Sequence, residues 1–84
     1  MTVKIVFFAS LREALGVDAL DLQISRPCRV SALISQLVDQ HSPEWLEILT
    51  AENIRIAVNQ DMINEDVDVS DGNEVAFFPP VTGG

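Results

Sequence analysis

Residues 30–38 read Val-Ser-Ala-Leu-Ile-Ser-Gln-Leu-Val, and their apolar side chains recur at the spacing of one helical face. These side chains belong to Val30, Leu33, Ile34, Leu37 and Val38. They predict one principal helix. Its start is weakly signalled because Arg29 is a poor N-cap, whereas His41-Ser42-Pro43 ends it. Ser42 is then predicted to cap a second, short helix with Pro43 at its first position and Trp45 in the core.

The residues before this helix predict two strands with a short helix between them. Thr2–Phe8 is rich in β-branched and aromatic residues and is largely apolar on both faces, which predicts a central strand. Ser10 and Glu13 form the pattern of a capping box at the start of a short helix, and Gly16 is predicted to end it. The segment 19–24 then alternates apolar and polar residues, as a half-buried strand does.

The residues after the principal helix predict further strands. Residues 54–58 alternate, and Met62-Ile63 is predicted to form a brief returning strand. Asp71-Gly72-Asn73 is a turn sequence, and residues 74–78 form the last strand. Strands interspersed with helices in this order predict an α+β domain with one sheet packed on one main helix and short additional helices.

Composition limits the functions that this chain of 84 residues can have. It is 48% hydrophobic and 21% charged, which is typical of one small globular domain. Its net charge is −8 and it has a single lysine, so we expect neither nucleic acid nor an anionic membrane as a partner. This acidity either suits a basic docking partner or only keeps the domain soluble.

The scarcity of metal-ligating side chains bears on cofactors and location. One cysteine, Cys28, and one histidine, His41, exclude a disulfide framework and a cysteine-ligated zinc or iron–sulfur site within the chain. We expect no metal. The sequence has no run long enough to span a membrane and no signal-peptide pattern, so a cytoplasmic location is expected.

The C-terminal residues form a tail with its own chemistry. We predict a domain over residues 1–78 and an extended tail over residues 79–84, Pro-Pro-Val-Thr-Gly-Gly. The prolines cannot pair in a sheet and restrict the backbone to extended conformations. A carboxylate on Gly84, which has no side chain, could pass down a narrow channel into another protein and attack a nucleotide α-phosphate there. The alternative is a disordered end.

Residues 71–84, Asp-Gly-Asn-Glu-Val-Ala-Phe-Phe-Pro-Pro-Val-Thr-Gly-Gly, resemble the C-termini of the small subunits of molybdopterin synthases. Phe7-Phe8-Ala9 followed by Arg12-Glu13 and Gly16, and the segment 58–60, match the same family, so the resemblance spans the chain. It implies the ubiquitin-like β-grasp fold.

The resemblance also implies a function as a sulfur carrier. Gly84 would be adenylated by an ATP-dependent activating enzyme and converted to a thiocarboxylate. The tail residues Pro79, Pro80, Val81, Thr82 and Gly83 would then insert it into the large synthase subunit. There it would donate sulfur to cyclic pyranopterin monophosphate, and two donations make the dithiolene of molybdopterin. The implied assembly has two small and two large subunits, with the catalytic residues expected on the large one. The carrier itself would bind no cofactor, since ATP is used by the activating enzyme.

Alternation in the first and last strands predicts a docking patch. Phe8 and Phe78 point away from the face that carries Phe7 and Phe77, and Met62 extends their patch. The alternative is that a loop or the short helix covers both rings.

Cys28 is either a small apolar residue that packs in the core or a persulfide relay. Its large distance from Gly84 in the sequence favours the packing role.

Three other functions fit parts of this pattern. One is a carrier of the same fold that serves thiamine or another thiolated product. Another is a ubiquitin-like modifier that joins Gly84 to lysines on target proteins. The last is an interaction module with an inert tail.

Overall fold

A mixed five-stranded sheet forms the frame of the computed structural model, which describes residues 1–79. Its strand order is β2-β1-β7-β4-β5, with β1 and β7 parallel at the centre and the other pairs antiparallel. A two-stranded ladder, β3-β6, lies beside it. The strands are β1 (Thr2–Phe7), β2 (Ala19–Gln23), β3 (Cys28–Arg29), β4 (Arg55–Val58), β5 (Asp61–Ile63), β6 (Asp68–Val69) and β7 (Glu74–Phe78).

Three helices complete this part of the chain: α1 (Ser10–Leu15), α2 (Val30–Gln40) and α3 (Glu44–Leu49). Side chains of α2 and α3 pack with one face of the sheet in a single core. A mixed sheet with one main helix on one face is the ubiquitin-like β-grasp arrangement, so the predicted fold class is confirmed. The small β3-β6 ladder was not predicted, because two-residue strands leave no periodicity to read.

The core follows the predicted alternation. The inward residues of β1 and β7 are at most 1% exposed: Val3, Ile5, Phe7, Val75 and Phe77. The ring of Phe7 meets Trp45 edge-on at 5.6 Å between centroids and lies 5.6 Å from that of Phe77. Edge-to-face contacts at this separation are favourable, so the three rings join α3 to the central strands. The predictions that Phe7 and Trp45 lie in the core are confirmed.

A residue from a distant loop caps the N-terminus of α2. Arg29 occupies the N-cap position with extended backbone and no side-chain capping bond. Instead, the carboxylate of Asp66 accepts hydrogen bonds from the Ser31 backbone N–H at 3.0 Å and from the Ser31 hydroxyl. These bonds favour the ionised form and lower the pKa of Asp66. The weak start signal in the sequence is thus explained by a cap that lies 35 residues away.

The predicted capping box of α1 is wrong. Ser10 is the first residue of the helix, and Ala9 holds the N-cap position with no side-chain capping bond. The chain enters the helix through a tight turn in which Leu11 N–H donates to the carbonyl of Phe8 at 3.1 Å. Gly16 ends the helix in the left-handed conformation with φ 77°, as predicted.

The start of α3 lies one residue later than predicted. Pro43 is the N-cap rather than the first helical residue, and the carbonyl of Ser42 accepts the Trp45 N–H at 3.0 Å. Trp45 also stacks on His41, with 4.0 Å between ring centroids. His41 Nδ1 lies 2.9 Å from the Leu37 carbonyl at the end of α2, so these two aromatic rings brace the junction of the two helices.

Positive-φ residues close the β4-β5 hairpin. Asn59 and Gln60 have φ values of 51° and 72°, which is the backbone of a two-residue type I′ connection. The brief returning strand that contains Met62 is present, as predicted. Asn59 also joins the hairpin to the sheet, because its amide oxygen accepts the Glu74 N–H at 2.9 Å.

Candidate functional site

The sheet surface opposite α2, which we call the open face, carries the second set of alternating side chains. Pairing register aligns four of them in one row across the strands: Val6, Ala76, Ala57 and Met62. Ala76 and Ala57 are almost fully buried although neither belongs to the core cluster, while Met62 is 56% exposed. Small side chains in the middle and a large one at the edge produce a shallow apolar floor. The sequence predicted Met62 here, but gave no sign that the two alanines lie side by side.

Two phenylalanine rings stand at one end of this floor. The rings of Phe8 and Phe78 are stacked, with 4.7 Å between centroids and 3° between planes. Phe8 is 42% exposed and Phe78 is half-buried. The alternative in which a loop or helix covers both rings does not hold for Phe8. We call the apolar floor and this ring pair together the docking patch.

A charged row borders the floor on its other side. Lys4 in β1 pairs with Asp21 of β2 and with Glu74 of β7. Lys4 is the single lysine of the chain and is exposed between two carboxylates. At the opposite end the exposed Arg55 of β4 pairs with Phe78, so it stands beside the ring pair. The open face therefore has an apolar and basic end near the ring pair and an acidic end, which gives a partner one preferred orientation.

The ring pair lies at the root of the tail. Phe78 is the last residue of β7, and the half-buried Pro79 follows it directly. The predicted tail residues Pro80, Val81, Thr82, Gly83 and Gly84 lie outside the residues that the structure describes. What the structure places is the point from which the tail departs, at the end of a central strand and beside the docking patch.

Ala9, which sequence reasoning overlooked, has a strained backbone. Its φ of 51° and ψ of −127° lie in a region that residues with a side chain rarely adopt. Two hydrogen bonds fix the backbone of the preceding residue, Phe8. Its N–H donates to the Phe77 carbonyl at 3.1 Å, and its carbonyl accepts the Leu11 N–H. An alanine in this conformation has no sequence signal, because only the surrounding contacts impose it.

Cys28 lies in the β3-β6 ladder beside α2, outside the five-stranded sheet that carries the docking patch. Its thiol is half-buried, and burial together with the charges of Asp68 and Asp66 raises its pKa. A raised pKa depletes the thiolate, which is the nucleophilic form. This environment supports the role of a packing residue over that of a relay.

The described residues hold no other candidate centre of chemistry. Among them, no cluster of three His, Cys, Asp or Glu side chains could hold a metal ion. A groove of about 340 Å³ beside the start of α2 is lined mainly by Val30, Ile34, Ile54, Ile56 and Ile63, with Asp66 at its rim. Its polar lining consists of the capping pair Ser31 and Asp66 together with Asn64 and Glu65. No helix in this part of the chain is long and apolar enough to cross a membrane.

Comparison with known proteins gives consistent relationships over nearly the full chain. Residues 5–84 match the ThiS family. The sequence is 43% identical to the molybdopterin synthase sulfur carrier subunit of Escherichia coli strain K12, across 98% of this chain and 99% of that protein. A structure described as putative molybdopterin converting factor, subunit 1, from Pyrococcus furiosus has 30% identity and a TM-score of 0.74, covering 96% of this chain and 99% of that one.

A further solved structure supports the fold alone. SAMP1 from Haloferax volcanii superposes with a TM-score of 0.84 over 100% of both chains, at 23% sequence identity. The same mixed sheet and helices are therefore formed by sequences that share fewer than a quarter of their residues with this chain.

Proposed function

This chain belongs to the ThiS family and resembles molybdopterin synthase sulfur carrier subunits along its length, and from that premise we propose that it carries sulfur on the carboxylate of Gly84. The observation that carries the proposal is the position of the tail root. The last described residues leave a central strand beside an exposed apolar patch, so a protein that covers the patch also receives the tail.

The proposed loading reaction needs two displacements. The carboxylate of Gly84 attacks the α-phosphorus of ATP on an activating enzyme, and pyrophosphate leaves. Sulfur at the oxidation level of sulfide then attacks the acyl carbon of the acyl-adenylate and AMP leaves, which gives a thiocarboxylate with sulfur in place of one carboxylate oxygen. The carrier itself binds no cofactor in this scheme, because the activating enzyme holds the ATP.

Delivery occurs on the large synthase subunit. The sulfur of the thiocarboxylate attacks a carbon of cyclic pyranopterin monophosphate, and a C–O bond at that carbon breaks as its oxygen departs. Water then cleaves the bond between the acyl carbon and sulfur, which leaves a thiol on the pterin and returns Gly84 to a carboxylate. Two such deliveries build the dithiolene of molybdopterin. The residues that activate the pterin belong to the large subunit in this proposal.

The docking patch supplies the recognition. Phe8, Phe78 and Met62 present aromatic and thioether groups, which are enriched in the buried centres of interfaces. A net charge of −8 favours a partner surface with a basic rim around an apolar centre. We propose the large subunit as that partner, in an assembly of two small and two large subunits in the cytoplasm.

Intact mass measurement tests the carrier function. After incubation with its activating enzyme, ATP and a sulfur source, the protein should gain the difference between one sulfur and one oxygen, located in the C-terminal peptide. The Cys28→Ser variant should gain the same mass, because the thiol takes no part. An unchanged mass with an active activating enzyme would refute the carrier function. A gain located at Cys28 would favour the relay, and a ladder of lysine adducts in extracts would favour the modifier.

A further inference from the structure

We propose that Arg55 is a recognition residue beside the docking patch, and that the partner places a carboxylate against its guanidinium when it covers the ring pair. This inference rests on the proposed carrier function, since the partner in question is the large subunit. It adds one element to that proposal. The partner surface, although basic where it meets the acidic end of the open face, is acidic at the end near the ring pair.

Pairing register places Arg55 next to the ring pair. Arg55 is the first residue of β4, and its direct partner in the antiparallel pairing with β7 is Phe78. Directly paired residues of antiparallel strands project from the same face, with their Cβ atoms about 5 Å apart. Ile56, the next residue of β4, packs against the core, so alternation also places Arg55 on the open face. Arg55 is exposed there, beside the ring of Phe78 that stacks on Phe8.

The carboxylates of the described residues lie elsewhere. Within residues 1–79, Arg55 takes part in no ion pair. Glu74, at the acidic end of the open face, is four residues from Phe78 along β7, a distance of about 13 Å. Glu65 and Asp66 line the groove beside α2, which opens on the other face of the sheet. The positive charge of Arg55 is therefore available to a partner at the apolar end of the open face.

Docking changes the environment of this charge. A partner that covers Phe78 displaces water from the guanidinium beside it, and a buried charge without a compensating group costs free energy. A carboxylate compensates it best, because the planar guanidinium can donate two parallel hydrogen bonds to the two carboxylate oxygens. Charge complementarity therefore predicts an acidic residue of the partner at this position. The alternative is that only the aliphatic part of Arg55 packs on the partner while the guanidinium stays in water.

Arg26 provides a matched control for long-range electrostatics. It is an exposed arginine after β2, beyond the end of the sheet at which β1 begins. The ring pair stands at the other end of β1, about 20 Å away. Arg55→Glu and Arg26→Glu lower the net charge by the same amount, so both changes favour a uniformly basic partner. At about 0.15 M salt the Debye length is about 8 Å, so a charge at position 26 has little influence at the ring pair.

Titration of the large subunit with each variant at about 0.15 M salt tests the proposal. Arg55→Glu should raise the Kd at least about tenfold, because it brings two carboxylates together in the interface. Arg26→Glu should bind within about threefold of wild type. Arg55→Met keeps an apolar stem but leaves the partner carboxylate without a counter-charge, so it should also bind at least about tenfold more weakly. Arg55→Lys keeps the charge without the planar fork and should fall between wild type and Arg55→Met.

A zero-length crosslink identifies the partner group. Carbodiimide joins an amine to a carboxylate that contacts it. In the complex saturated with the Arg55→Lys variant, it should therefore form an amide between position 55 and an aspartate or glutamate of the large subunit. Peptide mapping locates the bond. Crosslinks confined to Lys4 and the N-terminus would show that no carboxylate of the partner faces position 55, and would overturn the inference.

The outcomes distinguish this inference from the proposed function. Wild-type protein that does not bind the large subunit would refute the proposed partner itself. If the wild type binds and Arg55→Glu matches Arg26→Glu, no acidic group of the partner faces Arg55. If Arg55→Met binds as the wild type does, the aliphatic stem is the contact and recognition by charge is wrong. Melting curves establish that each variant is folded, and Arg55→Gln replaces the glutamate variant if that variant does not fold.

Discussion

Replacing two adjacent phenylalanines of β7 with aspartate should produce opposite defects. Phe77 is fully buried against Phe7 in the core, whereas Phe78 lies on the open face and stacks on Phe8. Phe77→Asp should unfold the domain. Phe78→Asp should leave it folded and abolish tight binding to the large subunit.

The magnitudes follow from burial. Removing a buried phenylalanine side chain costs about 3–5 kcal/mol, and a lone carboxylate in the core adds to that cost. A domain of this size has a total unfolding free energy of about 4–13 kcal/mol, so Phe77→Asp removes most or all of it. At Phe78 the main loss to the fold is the ring stack, about 0.5–1.5 kcal/mol. An aromatic anchor at an interface centre is worth at least about 2 kcal/mol, or about thirtyfold in Kd.

Thermal melts and titrations of both variants against the large subunit measure these two losses separately. Phe78→Asp should melt within about 10 °C of wild type and bind at least about thirtyfold more weakly. If it melts as early as Phe77→Asp, the assignment of the two faces is wrong. If it melts and binds as wild type does, the open face is not the docking surface.

Three further predictions concern the tail, a helix cap and a turn. Removing Gly84 should abolish sulfur transfer without changing the melting temperature, because a terminal glycine has no side chain to pack; near-normal transfer would contradict this. The lowered pKa of Asp66 stabilises the fold above about pH 4, and this stabilisation is lost as the pH falls through the folded-state pKa. Asp66→Asn should therefore melt earlier at neutral pH and show a smaller further decrease on acidification, and an acid dependence equal to wild type would exclude Asp66 as a contributor. Gln60→Gly should stabilise the domain by up to about 1 kcal/mol by relieving its positive φ, and a lower melting temperature in calorimetry would show that Gln60 makes compensating contacts.

Most of the core could be predicted because its signals are local. The spacing of apolar residues in α2 and the alternation in β1 and β7 specify which side chains face each other before any tertiary contact is known. The same alternation placed Phe8 and Phe78 on one face, and parallel pairing of β1 with β7 then brings the two rings into contact. Local periodicity was sufficient here because both strands are central and fully paired.

The missed features depend on residues that are distant in sequence. The cap of α2 comes from Asp66, and nothing near Ser31 indicates a partner 35 residues away. The turn at Ala9 was mistaken for a capping box because Ser10 and Glu13 have the right spacing, yet the hydrogen bonds of Phe8 draw the chain into the helix one residue earlier. The paired alanines of the open face likewise become visible only once β4 and β7 are in register.

The central place of β7 has a consequence for how the protein is made. Among the strands of residues 1–79, a ribosome synthesises this one last, yet its neighbours β1 and β4 both require it as a hydrogen-bonding partner. A nascent chain that stops before residue 74 lacks the middle of its sheet and leaves two strand edges unpaired, which favours aggregation and proteolysis. Synthesis errors that remove this strand are therefore eliminated by folding itself. A molecule that reaches the native state has therefore been translated at least through β7.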